Sequence, residues 1–455
     1  MMIRVFGAML FLVALPGLAK GPVHEFLLDN GLKVIVKEDN RAPIVVSQVW
    51  YKVGASYEPA GVTGVSHVLE HMMFKGTDDH PPGEFSRIIA ANGGRENAFT
   101  GRDYTAYFQT LSRDRLEISF ELEADRMRNL TLGQKEFAKE IEVVKEERRL
   151  RTEDKPTSLT YEQLSAVAYR NLPYANPVIG WMSDLENMTV EDLKHWYRLW
   201  YAPNNATLVV VGDVDPQEVL KLAKRHFGPL KSEKIPAQKP RVEPPQRGET
   251  RVTVRAPAKE PYVVFGYKTP VLAQAQTEWE PYALEMLSSI LDGGSSARFT
   301  RSLVRGEEIA ASAGASYSAF SRLPGMLLVD GSPAPGHDIG QLEQALRAQV
   351  ELLKKELVSE QELERVRAQV IAGKTYELDS VFSQAMQIGT LETIGLDWRL
   401  IDEYVERIGQ VTPEQVRQVA RKYLKDDYLT VAVLAPLPLD NDKPLAAAGG
   451  HHGAH

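Results

Sequence analysis

His67-Val68-Leu69-Glu70-His71 lies between Gly61-Val62-Thr63-Gly64-Val65-Ser66 and Met72-Met73-Phe74-Lys75-Gly76-Thr77, an apolar run bounded by glycines. Read as a helix, it sets His67 and His71 one turn apart on one face with Glu70 beside them. Two imidazoles at that spacing can hold zinc, which takes ring nitrogens at about 2.0–2.1 Å and in catalytic sites keeps a fourth position for water. A carboxylate beside such a site that is not itself a ligand can accept the water's proton. The order of residues inverts the commoner zinc-protease helix motif. A five-residue match also arises by chance on solvated helices. Here the apolar setting argues for partial burial, and a buried His pair with neither metal nor hydrogen-bond partners would strand polar nitrogens at a cost.

A third ligand is sought in Lys139-Glu140-Ile141-Glu142-Val143-Val144-Lys145-Glu146-Glu147-Arg148-Arg149. Apolar residues at 137, 141 and 144 recur at helical spacing, so Glu140 and Glu147 share a face two turns apart. On local pattern alone these acids read as a solvated stripe paired with neighbouring lysines and arginines.

The segment from Gly64 to Thr77, the later Asn97-Ala98-Phe99-Thr100-Gly101-Arg102-Asp103-Tyr104-Thr105-Ala106-Tyr107-Phe108 and the acidic stretch around Glu147 resemble the pitrilysin family of zinc metallopeptidases. That family includes insulin-degrading enzyme and mitochondrial processing peptidase. Glu147 stands 76 positions after His71, the separation at which the family places its third zinc ligand. The resemblance implies one zinc ion per chain held by His67, His71 and Glu147, with Glu70 as general base and Glu140 as a carboxylate supporting the site. Such supporting groups orient ligands and raise their basicity. It also implies that Asn97, Ala98 and Phe99 open a strand whose backbone edge takes an extended peptide substrate by strand addition. The other reading of this stretch is a hairpin that only packs under the active helix. The likeness spans most of the chain and is strongest between about residues 25 and 215.

Composition fits a globular protein. A chain of 455 residues, 43% hydrophobic and 25% charged, is too large for one core and too apolar for disorder, so two domains are expected. A net charge of −8 argues against a nucleic-acid partner, which needs a basic face. Met1–Arg4 is a short basic start, Val5–Leu15 a short apolar run, and Pro16-Gly17-Leu18-Ala19 places small residues where a signal peptidase cuts. Residues 1–19 therefore read as a signal peptide, with an uncleaved anchor as the alternative, although the run is short for a membrane span. The expected compartment is the periplasm or the exterior, with no stable membrane insertion. Cysteine is absent, which removes disulfides and thiolate ligands and leaves a large core to hold the fold.

The chain reads as duplicated. Thr189-Val190-Glu191-Asp192-Leu193 opens a helix leading through Tyr201-Ala202-Pro203-Asn204-Asn205 into a strand from Ala206 to Gly212. Thr412-Pro413-Glu414-Gln415-Val416 opens another, leading through Tyr423-Leu424-Lys425-Asp426-Asp427 into a strand from Tyr428 to Leu434. Both start with a threonine cap and an acid in the first turn, and the second has proline at the first helical position. Residues 231–251, with Pro236, Pro240, Pro244 and Pro245 and no apolar period, read as a linker. The expected architecture is α+β: two homologous α/β domains, residues 20–230 and 252–435, each a mainly antiparallel sheet with helices packed on it. Strands are expected at 44–53 and 105–111, and helices at 66–74, 114–128 and 135–151.

The second domain departs from the family pattern. Members complete in one polypeptide carry an Arg and a Tyr seven residues apart in a related unit across the catalytic chamber. In Leu303-Val304-Arg305-Gly306-Glu307-Glu308-Ile309-Ala310-Ala311, Val304 and Ala311 stand in those places. Neither can donate a hydrogen bond to a substrate carbonyl or an oxyanion. Arg298, Arg305 and Tyr317 lie near but at the wrong spacing. The expected protein is thus a zinc-dependent endopeptidase acting on peptides or unfolded chains, the zinc-bearing subunit of a heterodimer whose homologous partner supplies the Arg/Tyr pair. A homodimer is the second quaternary reading. A non-catalytic scaffold or peptide-binding subunit is the competing class, opposed by the intact Glu70 and ligand set. The tail 436–455, ending His451-His452-Gly453-Ala454-His455, reads as disordered. His24, His80, His195, His226 and His337 have no ligand partner at recognisable spacing.

Overall fold

In a computed structural model, residues 21–439 are described. The expected signal peptide lies outside them, as does the tail beyond Leu439. Six strands build the first sheet: β1 (Val23–Leu27), β2 (Lys33–Glu38), β3 (Ile44–Tyr51), β4 (Arg95–Thr100), β5 (Thr105–Ser112) and β6 (Ala206–Gly212). Their spatial order is β1-β2-β6-β3-β5-β4, and only the β2–β6 pair is parallel. β6 is buried at every position, as its unbroken apolar core Leu208-Val209-Val210-Val211 requires of a central strand covered on both faces.

The second sheet uses β7 (Thr250–Pro257), β8 (Tyr262–Thr269), β9 (Ala310–Ser316), β10 (Gly325–Pro333) and β11 (Leu429–Leu437) in the order β7-β11-β8-β10-β9. Its one parallel pair is β7–β11. Setting β7 on β2, β11 on β6, β8 on β3, β10 on β5 and β9 on β4 superposes the two orders, so the duplication seen in the sequence is also a duplication of topology. The Thr189 and Thr412 caps both form, each with a side chain at the third helical residue bonding back to the cap backbone. β7 opens at Thr250, inside the stretch read as linker. Pro436 and Leu437, assigned to the tail, close β11 by pairing with Ala256 and Pro257 of β7.

Helices Val65–Met72, Leu116–Arg128, Gln134–Arg148 and Val190–Trp200 pack their apolar sides on one face of the first sheet. Helices Glu280–Leu291, Ile339–Lys355, Glu360–Glu377 and Pro413–Tyr423 do the same on the second. The opposite faces are covered by exchange. Helix Pro156–Ala168, from the first half of the chain, lies across β7 and β11; helix Val381–Thr393, from the second half, lies across β3 and β6. The expected cut at residues 231–251 therefore separates segments of chain without separating layers of structure. The expected helix 135–151 is α-helical to Arg148 and continues through Arg149–Glu153 as a π-turn, a form frequent at functional sites.

Candidate metal centre

Val65, Val68, Leu69 and Met72 bury one side of helix Val65–Met72 in the core, which turns His67, Glu70 and His71 outward toward helix Gln134–Arg148. On that second helix Phe137, Ile141, Val144 and Arg148 form the buried stripe, and Glu140 and Glu147 flank it on the side that meets the histidines. The apolar positions 137, 141 and 144 that the sequence shows are the ones that aim the acids at the histidines.

His71 Nε2 lies 3.4 Å and His67 Nε2 3.8 Å from Glu147 Oε2. Tetrahedral coordination at about 2.0–2.1 Å places ligand atoms about 3.3 Å apart, so the three atoms converge at nearly the separation that zinc needs. Glu140 joins from the other side, its Oε2 3.4 Å from His71 Nδ1 while its Oε1 takes the Lys75 ammonium at 2.8 Å. Arg151, delivered by the π-turn, holds Glu147 Oε1 at 2.7 Å and leaves Oε2 for the histidines. Among the described residues, this is the one His/Asp/Glu group arranged to take a metal ion. His24, His80 and His226 instead pair with Glu38, Asp125 and Glu117.

Electrostatics support a cation here. Burial, reinforced by the neighbouring His71, lowers His67 to about 4, so its ring is neutral with a lone pair to give. Its Nδ1 is buried without a hydrogen-bond partner, and with a metal at Nε2 that nitrogen would carry the ring's proton. Burial also acts to lower His71, but hydrogen bonds and charge from Glu140 and Glu147 outweigh it and hold the ring at about 9. Both glutamates resist burial and stay below the usual carboxylate range through their histidine and cation partners. Glu70 is different: burial raises it, against a hydrogen bond from Thr100 Oγ1 to its Oε2 at 2.5 Å. The arrangement is one neutral ring, a second ring whose proton Glu140 and Glu147 hold and a metal at Nε2 would displace, one anionic donor and, beside them, a carboxylate with affinity for a proton.

β4 brings Thr100 to that carboxylate, and it is the free edge of the sheet, paired only with β5. Asn97 and Ala98 lie along this edge, and Phe99 turns to the other face to meet Trp50 edge-on at 5.3 Å between ring centroids. Thr100, Lys75 and Arg151 escaped the sequence reading. Only Arg151, four residues after Glu147, carried a local signal.

Among the described residues, the second half shows no matching cluster. Helix Glu280–Leu291, in the place of Val65–Met72 between matching strands, carries Tyr282-Ala283-Leu284-Glu285-Met286, with Tyr and Met where the histidines would stand. Glu285 accepts the Tyr404 hydroxyl instead of facing a metal. Val304 ends a π-turn and Ala311 lies on β9, the free edge of the second sheet.

Comparison with known proteins agrees half by half. Residues 33–181 match the model described as insulinase, peptidase family M16, and residues 187–370 match the M16 inactive domain. The zinc protease PqqE of Helicobacter pylori is 33% identical over 91% of this chain and 93% of its own length. The chain belongs to peptidase family M16. Within that M16 family, a protease structure from H. pylori superposes with a TM-score of 0.86 at 31% identity, covering 91% of this chain and all of the other. The periplasmic protease PqqL of Escherichia coli shares the fold at a TM-score of 0.77 and 19% identity, over 92% of this chain and 48% of PqqL. Among the described residues no helix is long and apolar enough to cross a membrane.

Proposed function

We propose that this M16 protein is a zinc-dependent endopeptidase that cleaves peptides or unfolded polypeptides in the periplasm, acting as the zinc-bearing subunit of a heterodimer. The observation that carries the reading is the convergence of His67, His71 and Glu147 on one point with Glu70 beside it. His67 and His71 Nε2 and Glu147 Oε2 would hold the metal. When bound, zinc supplies Lewis acidity, which makes a water a stronger acid and polarises a carbonyl. Glu70, raised by burial, takes the proton of the attacking water and returns it to the leaving amine, while Thr100 fixes the direction of its carboxylate. Glu140 and Lys75 hold His71 from behind. The free edge of β4, with Asn97, Ala98 and Phe99, offers main-chain groups to an extended substrate, which suits cleavage that tolerates many side chains.

Val304 and Ala311 support a partner, since neither can donate to the oxyanion. The relation to a periplasmic protease and the leader-like first residues support the compartment. The test is hydrolysis of a quenched peptide library by the purified chain, alone and with a related M16 subunit, with zinc measured on the same samples. Activity in the mixture that Glu70→Gln abolishes without loss of zinc is expected. Full activity from the isolated chain would remove the partner requirement, and no activity in any mixture would leave a scaffold as the better account.

A further inference from the structure

A helix begins with backbone N–H groups that have no partner within it, and Ser, Thr, Asp or Asn at the cap position ordinarily supplies one. The helix bearing His67, Glu70 and His71 has none of these. Its cap is Gly64, in the left-handed region at φ 88°, where a Cβ would fall 2.5 Å from the Ile179 carbonyl oxygen. A capping side chain is sterically barred at the one position that normally carries it.

Glu58 fills the gap from outside. Its Oε2 accepts the Gly64 N–H at 2.7 Å and its Oε1 accepts the Ser66 N–H at 2.8 Å, so one rigid carboxylate grips two points of the first turn. Asp184 takes the Thr63 N–H and hydroxyl just upstream. Glu58 is only 1% exposed and, among the described residues, makes no ion pair; the like charge of Asp184 acts against its ionised form. A buried carboxylate without a cation is costly, and the positive end of one short helix offsets only part of that. An apolar residue in its place would leave the Gly64 and Ser66 N–H groups without these acceptors, so the carboxylate stays buried for what it does to the first turn.

We infer that Glu58 is a positioning residue for the metal centre, fixing the rotation of helix Val65–Met72 so that both imidazoles meet Glu147. This rests on the zinc reading proposed above. Two anchors two residues apart define a rotation about the helix axis, which a single cap would leave looser. The ring nitrogens lie about 5–6 Å from that axis, so a turn of about 10° moves them about 1 Å. Metal sites tolerate about 0.2 Å.

The test compares wild type with Glu58→Gln, which keeps the shape but turns an amide N–H₂ toward one of the two backbone donors. Zinc affinity is read by competition with a chromophoric chelator, helix placement by the visible bands of the cobalt-substituted protein, and turnover by kcat and KM separately. The expected result is a folded variant with roughly tenfold weaker zinc binding, shifted cobalt bands and lower kcat at nearly unchanged KM, as for other groups that orient ligands from behind. Glu58→Asp, which retains both acceptors, should recover part of the affinity. Wild-type zinc affinity and cobalt bands in a folded Glu58→Gln protein would overturn the inference. Should that variant fail to fold, Glu58→Asp decides: weaker zinc binding with shifted bands supports the role, and unchanged values overturn it. Failure of the wild-type protein to bind zinc would instead strike the reading of the centre itself.

Discussion

Thr100 donates its hydroxyl hydrogen to Glu70 Oε2 and is the last residue of β4, so under the proposed function one side chain would link the base to the edge on which a peptide lies. Thr100→Val keeps the volume and removes the donor. The expected effect is a fall of about tenfold in kcat with KM little changed, and Thr100→Ser should restore it, because orientation of a general base acts on the chemical step. Steady-state kinetics on a fluorogenic peptide, with the partner subunit present if required, checks both. Glu58 yields a second prediction. Burial, with a smaller push from Asp184, raises it from the ordinary 4.5 to about 7. Between those values the folded protein binds more protons than the unfolded chain, so this group's contribution to stability falls as pH rises from about 4.5 to about 7 and is flat above. By linkage the loss is about 3 kcal/mol. Urea unfolding of the metal-free protein from pH 5 to 8 should show wild type losing ground to Glu58→Gln by that order; parallel curves would refute it. The converging residues were legible because helical period alone places 67, 70 and 71 together, and the 76-residue separation singled out Glu147 by resemblance. Thr100 and Glu58 were not, because a lone threonine ending a strand and a lone acid in a loop have no pattern until folding brings them to their partners.

Helices and strands were legible wherever a local device marked them. The Thr189 and Thr412 caps predicted their helices, and the following strands reproduce the expected starts to within a residue. The exchange of helices Pro156–Ala168 and Val381–Thr393 was not, since an apolar stripe records that a face is covered without recording by which sheet. Gly389 shows how close the exchanged packing is. A Cβ there would lie 2.0 Å from the Trp50 ring, and Trp50 is wholly buried between β3 and this helix. Alanine is favoured over glycine in a helix by about 1 kcal/mol. An overlap against a ring with no room to move costs about 1–3 kcal/mol and also displaces the helix, so the clash prevails. Gly389→Ala should therefore lower the urea midpoint, contrary to the usual effect of this exchange, and a midpoint equal to or above wild type would show that the helix shifts without loss.

Across the whole molecule, the two halves are joined by chemistry as well as by exchanged helices. Asp103, at the tip of the β4–β5 hairpin, accepts from Ser56, from the Tyr174 hydroxyl and from the Arg322 backbone N–H at 3.1 Å, while Arg322 also reaches Ser56 Oγ at 2.6 Å. Arg148, next to Glu147, forms a double hydrogen bond with Glu162 at 2.9 Å, on the helix that covers the second sheet. The helix that carries Glu147 is thus braced by an element seated on the other half. Cutting the chain near residue 240 would strip the Val381–Thr393 helix from the first sheet and expose Ile35, Val46, Trp50, Ala106, Val209 and Val211. Full burial of large apolar side chains is worth about 1.5–3 kcal/mol each, so the loss approaches the 5–15 kcal/mol that holds a typical domain together. Neither fragment, 21–240 nor 241–439, should then give a cooperative thermal transition when expressed alone, although each carries a complete set of sheet strands. Coexpressed, they should copurify, fold and recover the zinc affinity of the intact chain, because the exchanged helices need proximity and not a covalent link. An isolated 21–240 fragment that melts cooperatively and binds zinc as tightly as the intact protein would show that the first half carries its metal centre unaided and that the exchange serves only to join the halves.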